Sequence, residues 1–368
     1  MTLSPFSQFE NKMSRSTTSS SLGSAPPTTM ANISTPCSTM ASKRLLPFME
    51  RIHVLGSGSI GLLFASSIRM AFPSYPITML LRPHHEGRLT KDGSKHYMEL
   101  CITQQQQQKR NRPRLVRLPA QIIGSTSGNM KIRNLLLATK APDAAAAIRS
   151  IQSNYLQPDT RIFVLCNGQL AVREELQELL PHNPLTLIST THGAYREQAG
   201  DDFYHVTHAG IGKTHVENNA SFAKLLDQSG LQAESISNMD SMLWLKLAAN
   251  CTINPLTAIL GCTNGALTSN DKFQNMAPSI LDELAQICPL APTPKLMHDF
   301  VTNVISDTAD NKSSMLQDVE NKRTTEIDYL NGWVVQKGKE LGIPTPVNQA
   351  VCDEIKELTA TTTLRTAR

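Results

Sequence analysis

The sequence predicts an α/β domain with a parallel-rich sheet followed by an all-helical domain, and three observations carry that reading. From Arg51 to about Asn238, short apolar runs alternate with segments of helical periodicity, the mark of βαβ units. One of those runs passes directly into a glycine-rich turn and then a helix. Beyond Asn238 the alternation stops, and apolar positions recur at the helical period.

A 368-residue chain accommodates two domains of ordinary size. With 40% apolar, 5% aromatic and 18% charged residues it has the balance of a globular protein rather than a collagen-like or wholly disordered one. No apolar run reaches the ~18 to 20 residues of a membrane-spanning helix, so no membrane partner is expected. A net charge of +4 is too small for bulk attraction to nucleic acid. The seven cysteines contain neither a CxxC pair nor a Cys/His ligand grid; a reducing compartment fits, and no metal site is expected.

In chain order, residues 1–50 read as a disordered leader. Of its first 49 residues 18 are Ser or Thr and one, Glu10, is acidic, too little apolar surface to offset ordering entropy. The composition suits either a plain tail or an organellar transit peptide, which gives a cytoplasmic or a mitochondrial destination. Strands are expected at Arg51–Leu55, Ile77–Leu81, Asn134–Thr139, Arg161–Cys166 and Leu185–Thr191, with helices starting near Ser59, Asp143 and Leu170. Residues 82–133 interrupt the alternation with a local charge of +8 and the run Gln104–Gln108, so residues 86–130 read as a basic, Gln-rich surface insertion. Its stretch Lys109–Arg114 has no aromatic residues for base stacking and reads as a solvated loop rather than a nucleic-acid site. Segments 239–252, 273–288, 294–308, 314–320 and 325–341 carry the helical periodicity of the second domain, residues 238–368.

Ile52-His53-Val54-Leu55 runs into Gly56-Ser57-Gly58-Ser59-Ile60-Gly61 and then into an apolar helix. In that context GxGxxG is a dinucleotide fingerprint: Gly56 for the tight turn, Gly58 for approach of a pyrophosphate, Gly61 for helix–strand packing. Residues 51–237 are therefore expected to be a Rossmann-like domain. An acidic residue at the end of the second strand would select NAD through the ribose 2′-hydroxyl; Arg82 stands there instead, with His84, His85 and Arg88 close by. A guanidinium fork suits a 2′-phosphate, so NADPH is the expected cofactor. Two further strand ends, at Lys140 and at Asn167-Gly168, should open on the same crevice.

The segment from Met242 to Thr257 is apolar on almost every side and should be buried all round. Lys246, Asn250 and Asn254 recur every four residues and form one stripe. A buried amine without a partner is costly, which makes a functional lysine plausible; a snorkelling lysine beside two structural amides is the alternative.

The string Lys246-Leu-Ala-Ala-Asn250-Cys-Thr-Ile-Asn254-Pro-Leu-Thr-Ala, continuing to Asn264-Gly265, resembles the signature of ketopantoate reductases (2-dehydropantoate 2-reductases). So do Thr191-His192-Gly193-Ala194, Asn311-Lys312-Ser313-Ser314-Met315-Leu316-Gln317-Asp318, and Thr325-Glu326-Ile327-Asp328-Tyr329-Leu330-Asn331-Gly332, in the expected order between Arg51 and Pro344. The resemblance implies a C-terminal domain like that of 6-phosphogluconate dehydrogenases. It also implies reduction of ketopantoate to (R)-pantoate with NADPH, toward pantothenate and coenzyme A. Residue by residue it implies Lys246 as general acid and Asn250 and Asn254 as orienting groups for the substrate, with Asn167 and Asn264 nearby. Asn311 and Ser314 fall at the carboxylate end. Gly56 to Gly61, Arg82, Lys140, Asn167, Ala194 and Glu326 fall on the cofactor. Ser314-Met-Leu-Gln317 also fits a capping box.

A different branched 2-keto acid, or a non-catalytic NADPH sensor, would keep the fold and change the function. A homodimer is compatible with the sequence. His192, His205, His208 and His215 have no regular ligand spacing and are not expected to hold a metal.

Overall fold

The computed structural model describes residues 50–104, 113–124, 131–199, 203–288 and 293–364. The sheet half contains, in order, β1 (Ile52–Leu55), α1 (Ser59–Ala71), β2 (Ile77–Leu81), β3 (Thr90–Asp92), β4 (Lys95–Gln104), β5 (Arg114–Ile122), β6 (Ile132–Leu137), α2 (Ala144–Tyr155), β7 (Leu156–Val164), α3 (Gln169–Leu179), β8 (Leu185–Thr190), β9 (Gly193–Ala199), β10 (Phe203–Gly210), β11 (Thr214–Glu217), α4 (Ala220–Leu226) and β12 (Ala233–Ile236). The helical half contains α5 (Met239–Leu260), α6 (Asp271–Ile287), α7 (Pro294–Asp307), α8 (Ser314–Glu320), α9 (Asn331–Leu341) and α10 (Pro346–Leu364).

The centre is the parallel set β8-β7-β6-β1-β2-β5. β1 and β2 are buried at every position, as their unbroken apolar runs require of strands covered on both faces. The sheet does not stay open. β8 leads into β9 and β10 into β11, and these two lengths of chain pair antiparallel with each other as one bent ribbon. One half of the ribbon pairs with β7 through β8, the other with β4 through β10, so the sheet curls around α1. At the bend Gly212 passes so close to the Thr191 carbonyl that a Cβ would strike it.

This overturns part of the sequence reading. Most of the described part of residues 86–130 is sheet, not surface insertion: β4 and β5 pair with each other from His96–Ala120 to Ile102–Arg114, and β5 continues the parallel set beside β2. Met98, Leu100 and Ile102 on β4, with Val116, Leu118, Ala120 and Ile122 on β5, alternate inward, and the charges on the outer face had disguised them. The leader, with any transit peptide, and the glutamine run beyond Gln104 lie outside the described residues.

Two cores flank the sheet. Inside the curl, Leu62, Phe64 and Ile68 of α1 pack with inward residues of β4, β5 and β10, and Phe163 stacks on Phe222 at 4.1 Å. On the other face α2 and α3 share one continuous core with the helical half. At about 1.5–3 kcal/mol for each large apolar side chain buried, this shared core couples the two halves strongly.

The first helix of that half, α5, runs further than its periodicity suggested, through Pro255 to Leu260, where Gly261 at φ 61° ends it. A proline inside a helix leaves the carbonyl four residues back without its donor. Here the Cys251 carbonyl accepts instead from buried Asn331 Nδ2 at 2.9 Å, and the helix continues. Among the described residues no helix is long and apolar enough to cross a membrane.

Candidate active site

The glycine turn divides its labour as the fingerprint anticipates. Gly56 has φ +122°, and a Cβ there would strike the Ala138 carbonyl; a Cβ at Gly61 would strike the Gly56 carbonyl. At Gly58 the nearest protein atom to a Cβ would be 4.0 Å away. The chain itself does not need a glycine at 58, which leaves close approach of a ligand as its use. No side chain caps α1, and its first turn holds no acid, so the opening N–H groups of Ser59 and Ile60 are available to an anion. This turn forms one wall of a groove of about 250 Å³ that also takes in Arg82, Lys140 and Arg196. The residues present fit a dinucleotide.

The second cleft lies where the end of β7 meets α5. Cys166, Asn167 and Gly168 face Lys246 and Asn250 across a space of about 20 Å³, room for roughly one water. Lys246 is half-buried, and its Nζ donates to Ser189 Oγ at 3.2 Å and to the Thr190 carbonyl at 3.1 Å. Desolvation brings its pKa down to about 8. Two groups oppose that shift, Cys166 and Glu326. Burial pushes the Cys166 thiol up and keeps it protonated, so Glu326 is the negative charge that remains. The carboxamides of Asn250 and Asn254 make no hydrogen bond to the described residues, although Asn254 is buried. Polar groups held in an apolar helix without protein partners are suited to a polar ligand.

Other expected site residues are engaged elsewhere. Glu326, buried, accepts from the Ala141 N–H at 3.1 Å and from Asn167 Nδ2 at 2.9 Å, so both its oxygens bind the strand ends of the sheet half. Lys140 lines the groove, while its Nζ pairs with Asp318 at 2.7 Å. Asn264 donates to Thr308 Oγ1 at 2.9 Å, and its N–H bonds the Asn311 carbonyl; neither Asn264 nor Asn311 lines the Lys246 cleft. Ser314 is exposed at the start of α8 and is not the cap. That corrects the capping-box reading by one residue: Ser313 Oγ accepts the Leu316 N–H at 3.1 Å and pairs with Thr257 Oγ1 at 2.7 Å, which fixes α8 against α5 beside Asn254. Ala194, the second residue of β9, lines neither cavity. Two residues on, Arg196 does reach the groove, a residue that sequence reasoning missed: its Nη1 donates to the Ser57 carbonyl at 2.6 Å, 139 positions away. Only closure of the ribbon creates that contact.

The histidines fall inside the ribbon. His192 Nδ1 lies 2.9 Å from His208 Nε2, and both are pushed down chiefly by burial. Among the described residues no group of three or more His, Cys, Asp or Glu is placed to hold a metal ion.

A dinucleotide-binding sheet joined to a helical domain, with a desolvated lysine at the junction, defines a class of two-domain oxidoreductases. Comparison with known proteins narrows the class. Residues 52–221 match the family described as ketopantoate reductase PanE/ApbA, and residues 238–359 match its C-terminal part. A 2-dehydropantoate 2-reductase from Vibrio cholerae serotype O1 is 37% identical over 237 residues, 61% of this chain and 77% of the relative. The chain belongs to the ketopantoate reductase family. Among solved structures, a D-mandelate dehydrogenase with NADH and anilino(oxo)acetate is similar at TM-score 0.72 and 21% identity, covering 85% of this chain and 99% of that one. A ketopantoate reductase of the same family from Ralstonia eutropha JMP134 is similar at TM-score 0.70 and 21% identity, covering 85% and 100%. At that identity the two structures speak for the fold.

Proposed function

We propose that this protein reduces 2-dehydropantoate to (R)-pantoate with NADPH, a step toward pantothenate and coenzyme A, with Lys246 as general acid. The observation that carries the reading is a half-buried amine lowered to about 8, on one helical stripe with two carboxamides that have no hydrogen-bond partner among the described residues. The name of the Vibrio cholerae relative supports the same substrate here. In this reading residues 51–237 bind NADP and residues 238–368 bind the substrate.

Bound nicotinamide supplies the hydride that reaches the keto carbon. Negative charge then grows on the keto oxygen, where Lys246 stabilises it and delivers a proton. Asn250 and Asn254, about 6 and 12 Å along the helix from Lys246 by rise per residue, orient the hydroxyl and keto groups, with Asn167 opposite. Asn311 and Ser314, at the start of α8 and outside the closed cleft, take the carboxylate once the cleft opens, with Asn264 bracing the Asn311 carbonyl. Gly56 to Gly61 take the pyrophosphate and Arg82 the 2′-phosphate; Lys140 completes the cofactor side, and Glu326 braces it through the Ala141 N–H and Asn167. Because the cleft beside Lys246 has room for roughly one water, the two halves must part for substrate to enter.

The test compares kcat/KM for ketopantoate with that for 2-ketoisovalerate, each with NADPH and with NADH. A polar site built for a substrate hydroxyl rejects the analogue that lacks it, so ketopantoate should be favoured by at least about 10². Equal values would move the assignment to another keto acid, and no turnover with NADPH bound would leave a sensor.

A further inference from the structure

The groove beside the glycine turn holds more positive charge than a single phosphate reader requires. Arg82 lines it from the end of β2, and Arg196 from β9. The arginine ion pairs among the described residues are those of Arg117, Arg161, Arg173 and Arg323, so Arg82, Arg88 and Arg196 have no carboxylate partner there. Arg88 and Arg196 meet around one buried ring, Tyr204 of β10. The Arg196 guanidinium lies 4.9 Å from the ring centroid and that of Arg88 6.0 Å. Arg88 Nη1 is 3.2 Å from the Tyr204 hydroxyl, and His85 Nδ1 is 3.1 Å from it.

Arginine can only donate, so the Tyr204 oxygen accepts from Arg88. His85 takes the hydroxyl hydrogen at Nδ1 when it is neutral and protonated at Nε2. Its pKa agrees: burial first, then the charges of His84, Arg196, Arg88 and Arg82, bring it down to about 4.

We propose that Arg196 is a second reader of the cofactor 2′-phosphate, lining the same groove as Arg82, and that Tyr204 is the positioning residue that holds it there. The inference rests on the NADPH reading above. Two guanidiniums in one groove match a group carrying close to two negative charges and three acceptor oxygens, whereas the 2′-hydroxyl of NADH gives them nothing to neutralise. The cation–π seat and the Ser57 carbonyl hold Arg196 in place before the ligand arrives, so less side-chain entropy is lost on binding.

The experiment measures the ratio of kcat/KM for NADPH to that for NADH, at saturating ketopantoate, in the full chain and its variants. Arg196→Ala should lower the ratio ten- to hundredfold, the range for losing a hydrogen bond to a charged group. Tyr204→Leu, which removes the ring that seats Arg196, should lower the ratio about three- to tenfold, and Tyr204→Phe, which keeps the ring, should restore it. Should the alanine variant be insoluble, Arg196→Lys should move the ratio in the same direction by less. Parallel losses with both cofactors would mean that Arg196 only braces the glycine turn through Ser57, and would overturn the inference. So would a ratio within twofold of wild type. A wild-type enzyme indifferent to the 2′-phosphate would instead refute the NADPH reading itself, which keeps the two failures distinct.

Discussion

A lysine amine in water stays protonated well past neutral pH. Lys246 loses that margin because α5 carries it into the junction, where desolvation outweighs the pull of Glu326 and brings it to about 8. A general acid must be protonated to act. kcat/KM for ketopantoate reduction should therefore be level below about pH 8 and fall about tenfold per unit above it; a profile still flat at pH 10 would remove the lysine from the proton transfer. Gly58 gives a second test at this scale. Since a Cβ there would meet nothing in the protein closer than 4.0 Å, Gly58→Ala should melt within a degree or two of wild type yet raise the KM for NADPH at least about tenfold. A large loss of melting temperature would assign that glycine to folding instead. Lys246, Asn250 and Asn254 could be read from sequence because helical spacing places them on one stripe. Arg196 could not: nothing local in β9 distinguishes it, and its partner is Ser57, far back in the chain.

Elements behave as their ends dictate. α5 outlasts a proline because Asn331 repairs the carbonyl that Pro255 leaves open, a repair made by a residue 80 positions away that no local pattern announces. α8 is set by Ser313 rather than Ser314. Ser313→Ala removes a cap and the hydroxyl pair to Thr257 together, so it should cost about 1–2 kcal/mol in chemical denaturation, against only a few tenths for exposed Ser314→Ala. Equal costs would put the cap back at Ser314. Strands β1, β2 and β6 were visible as continuous apolar runs, while β4 and β5 were not. Their inward residues alternate with a charged outer face, and that charge together with the neighbouring glutamine run outweighed the period-two signal.

The two halves meet along a polar seam as well as through a shared core. Trp333 Nε1 donates to Glu174 at 2.8 Å, Arg173 pairs with Asp240, Lys140 with Asp318, and Glu326 accepts from Ala141 and Asn167. Glu326→Ala would strand the Ala141 N–H and should destabilise the fold by about 1–3 kcal/mol in urea unfolding. Glu326→Gln should recover most of that, since the Asn167 amide can turn to match it; equal losses would show that the negative charge, not the hydrogen bonds, holds the seam. The order of the domains was legible from the change of period near Asn238. The closure of the sheet was not, because it depends on pairings between strands distant in sequence. The most direct test of the whole arrangement is NADPH oxidation by ketopantoate in Lys246→Ala, with NADPH affinity measured alongside. Loss of the general acid should lower kcat by about 10² to 10⁴ while the dissociation constant for NADPH stays within a few fold. Turnover at the wild-type rate would contradict the account.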